Sequence, residues 1–153
     1  MPILEELIKT KPIQDPHQRA YLNIMYTGNW LFNRINNALK PFDLTEPQYN
    51  VLRILRGQNG DAMSLFEVQD RMIQKMSNVS RLIDKLLEKG WVARTECKDN
   101  RRKVDIRITD SGLGILDEVE PSLRAAFDMM DANLAAEEAA TLATLLDTMR
   151  KDL

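Results

Sequence analysis

Apolar residues in this chain recur every three to four positions over most of its length, and the gaps between the runs carry residues that start and stop helices. Asp15-Pro16-His17-Gln18 supplies an N-cap acceptor, a proline suited to the first helical position and a glutamine three residues after the cap, so a helix is expected to begin there. Ile24, Gly28, Leu31, Phe32, Ile35 and Leu39 follow on one face, until Pro41 should end it. Thr45-Glu46-Pro47-Gln48 repeats the capping pattern and predicts a second helix with Tyr49, Leu52 and Leu55 inward, closed by Gly57 and the loop GQNGD. Ser64 with Glu67 opens a short third helix carrying Leu65, Val68 and Met72. A fourth is expected from about Lys75 to Lys89, with Met76, Val79, Leu82, Ile83 and Leu86 buried and Gly90 as its stop. Strict alternation then replaces the helical period. WVARTEC, 91 to 97, places Trp91, Ala93 and Thr95 on one side of a strand, and KVDIRIT, 103 to 109, places Val104, Ile106 and Ile108 on one side of another, which predicts a hairpin. Thr109-Asp110 caps a fifth helix carrying Ile115, Leu116, Val119, Leu123, Phe127 and Met130, which Pro121 should interrupt or kink. A sixth follows Leu134 with Leu142, Leu145, Leu146 and Met149.

The expected fold class is therefore mainly α with a small β-hairpin, an α+β chain of one ordinary domain's length. A short helix, a turn, a second helix and a hairpin in that order make a winged helix-turn-helix. The outer face of the fourth helix suits such a fold: Ser77, Asn78, Arg81 and Lys85 share roughly one side, with Lys75 and Ser80 at its margins. Arg and Asn side chains reach base edges in a major groove, while Ser and Lys hold phosphates. At the hairpin tip, Arg101 and Arg102 would reach the DNA backbone or a narrow minor groove, with Asp99 stiffening the turn. The plainer alternatives are a solvated helix face and a polar turn; the second accounts less naturally for two adjacent arginines.

Charge sharpens this picture. The net charge is −2, but residues 64 to 109 hold eleven Lys/Arg against seven Asp/Glu, a balance of +4, leaving −6 for the rest. A basic segment in an otherwise acidic chain fits a polyanion-binding face. The single cysteine, Cys97, excludes an internal disulfide, and with His17 the only histidine there is no zinc-ligand spacing, so no metal or cofactor is expected. Gly112-Leu113-Gly114 is too common a pattern to mark a phosphate loop, and His17 has no visible acid or nucleophile partner, which argues against an enzyme. With no basic-then-apolar leader and no apolar run approaching a membrane span, a cytoplasmic protein without membrane attachment is expected.

LTEPQYNVLRIL at 44 to 55, SNVSRLIDKLLEKGWVAR at 77 to 94 and DNRRKVDIRITDSG at 99 to 112, in this order and spacing, resemble the MarR-type winged-helix transcriptional regulators. Asp84, Leu86, Gly90, Arg94, Asp99, Arg101, Thr109 and Gly112 all stand where that family's pattern places such residues. Val68-Gln69, in place of a usual Leu-Ala, and Ala135-Ala136, where a polar cap is common, depart from it. The resemblance implies a homodimer on a pseudo-palindromic double-stranded operator, with residues 43–109 as the DNA-binding lobe and 1–42 and 110–153 as dimerisation helices. The alternative for those terminal helices is that they complete a monomer's core. The resemblance also implies repression relieved by a small phenolic or aromatic anion, for which Met25, Tyr26, Trp30 and Arg34 are candidate lining residues unless their stripe is simply core. Two alternatives stay open: a redox response through Cys97, whose thiol Lys98, Arg101 and Arg102 would activate, and a winged helix that binds protein rather than DNA.

Overall fold

The capping signals read along the chain reappear as hydrogen bonds in the computed structural model, which describes residues 1–75, 78–96 and 104–152. The first long helix, α2 (Pro16–Leu39), begins where Asp15 accepts the His17 N–H at 2.9 Å. It is preceded by a single helical turn, α1 (Leu4–Leu7), which the apolar pattern does not announce. Leu4 is buried and Glu5 pairs with Arg19 of α2 at 2.7 Å, so the N-terminal arm is fastened to α2 by one apolar and one ionic contact. A 3-10 turn at Lys40–Phe42 follows, and Asp43 turns the chain with φ +53°.

Helix α3 (Glu46–Arg56) starts at the expected capping box, with Gln48 Oε1 accepting the Thr45 N–H at 3.0 Å. Val51, Leu52 and Leu55 are fully buried and Tyr49 is half-buried. A two-residue strand, β1 (Met63–Ser64), leads into α4 (Leu65–Arg71), whose N-cap Ser64 exchanges hydrogen bonds with Glu67. Helix α5 (Val79–Glu88) follows, then β2 (Val92–Glu96), β3 (Val104–Ile108), α6 (Asp110–Asn133) and α7 (Ala136–Met149). The hairpin is widened to a three-stranded antiparallel sheet of order β1-β3-β2, with Met63 opposite Ile106 and Val92 opposite Ile108. Alternation along the chain does not reveal β1, because two residues are too few to show it.

Side chains from α3, α4, α5, the sheet and the first half of α6 form one core: Leu52, Leu55, Val68, Leu82, Ile83, Leu86, Ile106, Leu116 and Val119 are its centre. All four described residues expected on the inner face of α5 are buried. On β2 it is Val92 that enters the core, while Trp91, Ala93 and Thr95 are half-buried. Pro121 does not interrupt α6. Both Pro121 and Asp117, whose carbonyl the proline leaves without its helical donor, lie on the exposed face, where such a carbonyl is open to solvent.

The terminal helices differ from the core elements. On α2, Ile24 and Gly28, expected inward, are exposed, as are Met25, Tyr26 and Trp30, and only Leu39 at the far end is buried. No residue of α7 is buried, and Leu142, Leu145 and Met149 are 47%, 62% and 58% exposed. Leu31, Phe32 and Ile35 are half-buried, and Ile35, Ala38 and Leu39 pack on the core, so the apolar residues left outside it are those of the first half of α2 and of α7. No described helix is long and apolar enough to cross a membrane.

Candidate nucleic-acid interface

The buried stripe of α5 fixes what its opposite side must display. With Val79, Leu82, Ile83 and Leu86 inward, the residues between them, Asn78, Ser80, Arg81, Asp84 and Lys85, are all exposed. Asp84 is taken by Arg94 of β2 at 2.9 Å, an ion pair that ties the helix to the strand behind it. Arg81 and Lys85 form no ion pair among the described residues. Asn78, Arg81 and Lys85 therefore make a continuous polar stripe with two exposed cations that form no ion pair among the described residues, the chemistry that phosphate and base edges require.

The start of this helix differs from expectation. Asn78, with φ −115° and ψ 35°, is the N-cap, so α5 begins at Val79 rather than near Lys75. Lys75 lies in the preceding turn, where its ammonium donates to the Asp70 carbonyl oxygen and sits 3.8 Å from Asp70 Oδ1. The turn is also held from α3, since Asn50 Oδ1 accepts the Ile73 N–H at 3.0 Å. Asn78 caps the helix with its backbone geometry alone, its side chain making no capping bond. Ser77, Cys97, Asp99, Arg101 and Arg102, and with them the tip of the hairpin, lie outside the described residues.

Beside the polar stripe an open groove of about 480 Å³ runs between α5, α2 and the start of α3. Phe32, Asn33 and Asn36 form one wall, Thr45, Pro47 and Gln48 the floor, and Asn78, Arg81, Leu82 and Lys85 the other wall. Glu46 lies under this floor: its N–H donates to Asn36 Oδ1 at 2.9 Å, and burial pushes its carboxyl above the usual carboxylate range. The residues singled out on α2 as candidate ligand contacts do not line this groove. Tyr26 and Trp30 face the N-terminal arm, and Met25 projects into solvent. Arg34 lies over the Trp30 ring and donates to the Ala126 carbonyl at 2.7 Å, fastening α2 to α6. Sequence reasoning missed Phe32, Asn33 and Asn36 as groove residues because Phe32 was assigned to the core and the two asparagines carry no periodic signal. Among the described residues no cluster of His, Cys, Asp and Glu could hold a metal ion.

A short helix, a turn, a helix with an exposed cationic face and an antiparallel sheet packed behind it define a winged helix-turn-helix protein. The sequence pattern of the MarR family matches residues 44–104. The multiple antibiotic resistance protein MarR of Salmonella typhimurium is 30% identical over 127 residues, covering 80% of this chain and 85% of that protein. Among solved structures, a MarR transcription factor from Planctomyces limnophilus is 31% identical with a TM-score of 0.69, over 90% of this chain and 99% of that one. A cysteine-to-serine variant of Escherichia coli MarR complexed with operator DNA is 25% identical with a TM-score of 0.76, over 97% and 99%. The chain belongs to the MarR family, whose members are transcription regulators rather than enzymes.

Proposed function

We propose that the protein is a homodimeric, sequence-specific repressor that binds a pseudo-palindromic operator and is released from it by a small aromatic anion. The observation that carries the reading is the exposed stripe of Asn78, Arg81 and Lys85 along α5 and its N-cap, with Arg81 and Lys85 in no ion pair among the described residues. Arg81 and Asn78, with Ser77 and Ser80 beside them, read or position the major groove; Lys85 and Lys75 hold phosphates; Arg101 and Arg102 anchor the wing. The structure of a related MarR with operator DNA supports the partner. The apolar residues in the first half of α2 and on α7, which this chain leaves exposed and a second copy would cover, support the dimer.

The groove beside α5 suits the effector better than the outer face of α2. An aromatic anion there would stack near Phe32 and Pro47 and neutralise Arg81 and Lys85, the cations that DNA needs, so the two ligands bind in mutual competition. Fluorescence polarisation with promoter fragments from upstream of the protein's own gene tests the reading. Selective binding that weakens with salt is expected, and weak binding indifferent to sequence would favour a protein-interaction module. Replacing Arg101 and Arg102 by alanine should weaken binding and flatten the log–log salt dependence by about 0.9 for each phosphate no longer neutralised.

A further inference from the structure

Three consecutive residues at the end of α5 are bonded more heavily than a helix end requires. A glycine in the left-handed region, here Gly90 at φ +70°, is enough to stop a helix. Lys89, the C-cap residue, does something additional. Its ammonium donates to Asp43 Oδ2 at 2.8 Å and to the Asp43 main-chain carbonyl, and it lies 4.6 Å from the centre of the Trp91 ring. The Lys89 side chain is 24% exposed although Asp43 is almost fully so. Asp43 follows the 3-10 turn that ends α2, in a left-handed conformation, and its carboxyl is held below the ordinary range chiefly by Lys89, with Lys85 adding to the effect.

On the opposite side the same segment is tied to α6. Thr109 Oγ1 donates to the Gly90 carbonyl at 2.7 Å, Thr109 N–H to the Trp91 carbonyl at 3.1 Å, and Gly112 packs against that carbonyl so closely that a Cβ would overlap it. The end of α5 is thus joined to the end of one long terminal helix and to the start of the other. Resting on the DNA-binding reading above, we infer that Lys89 is a positioning residue for operator recognition: through Asp43 it fixes the end of the recognition helix to the turn after α2, beside the Gly90 and Trp91 main chain that is bonded to the start of α6, so the terminal helices set its angle in the major groove. An exposed ion pair contributes little to stability. Its effect is on direction, and base edges demand alignment that phosphates do not.

The test uses the full chain as the unaltered protein, Lys89→Met, Lys89→Arg and Asp43→Asn, the last chosen because Asn tolerates a left-handed backbone. Each is titrated by polarisation, over a salt series, against a duplex selected from a random pool by the unaltered protein and against a scrambled duplex. Lys89→Met and Asp43→Asn should bind the selected duplex about tenfold more weakly, the equivalent of one misaligned base pairing. They should bind the scrambled duplex as before, keep the same salt slope and melt at an unchanged temperature, and Lys89→Arg should recover most of the affinity. Equal weakening on both duplexes with a shallower slope would make Lys89 a phosphate ligand and overturn the inference, as would undiminished affinity of Lys89→Met for the selected duplex. If the unaltered protein selects no duplex, it is the DNA-binding reading that fails. The lock is then judged by fluorine NMR of the two tryptophans after 5-fluorotryptophan labelling: Lys89→Met should shift the Trp91 signal and leave Trp30 in place, and an unmoved Trp91 signal overturns the lock.

Discussion

Arg81 and Lys85 lie one helical turn apart on α5 and are expected to fail differently when removed. Arg81→Ala should cost about 1–3 kcal/mol on the preferred operator and relax base preference, whereas Lys85→Ala should weaken all duplexes alike and reduce the salt slope by about 0.9; competition titrations at several salt concentrations separate the two. Two carboxylates should give opposite pH signatures. Arg19 holds Glu5 below its ordinary value of 4.5, so the pair stabilises the fold above that pH and the contribution is lost as pH falls through the folded value. Glu5→Gln should therefore melt earlier than the unaltered protein at neutral pH and match it in acid. Burial holds Glu46 above 4.5, so its ionisation opposes folding as pH rises past that value. Glu46→Gln should melt later at neutral pH and lose that advantage in acid. Thermal melts between pH 3 and 8 check both directions.

At the scale of elements, the helix starts were legible because their signals are local. Asp15 and Thr109 accept, Thr45 donates and Ser64 exchanges a bond within three residues, a distance a sequence pattern reports directly. The start of α5 was misjudged by about four residues because the turn before it is held by Asn50, more than twenty positions away. β1 escaped notice because its pairing with β3 spans some forty residues and leaves no alternation in two. The junction of β2 and α6 offers a sharp test. A Cβ on Gly112 would collide with the Trp91 carbonyl and come 2.8 Å from Ile108 Cγ1, and the carbonyl, being main chain bonded to Thr109, cannot give way as a side chain can. Gly112→Ala should destabilise the fold by about 1–3 kcal/mol or more, seen as a lower urea midpoint with the denaturant slope unchanged.

At the scale of the molecule, the core takes in the end of α2 and the first half of α6, while the first half of α2 and all of α7 keep apolar side chains exposed; the proposed dimer would cover them. Leu142 and Leu145 on α7 leave about half or more of their surface exposed, at 47% and 62%. Replacing both by aspartate should yield a monomer by sedimentation velocity, with the core from α3 to β3 still folded by circular dichroism. Operator affinity should fall to that of a single lobe, because two linked lobes gain far more than either alone. A dimer that persists with full affinity would place the interface elsewhere.

What the residue order determined by itself is what depends on neighbours a few positions apart: six helices, the two longer strands, the cationic side of the recognition helix and, through three motifs in their order, the family. Only the tertiary structure decided that the apolar residues in the first half of α2 stay exposed while those of its second half pack on the core, that Phe32, Asn33 and Asn36 share a groove with Arg81 and Lys85, and that Lys89 joins Asp43 across forty-six residues of chain. Periodicity records which side of a helix avoids water. It carries no record of which distant segment, or which second molecule, that side meets, because such pairings are set by the packing of whole elements against one another.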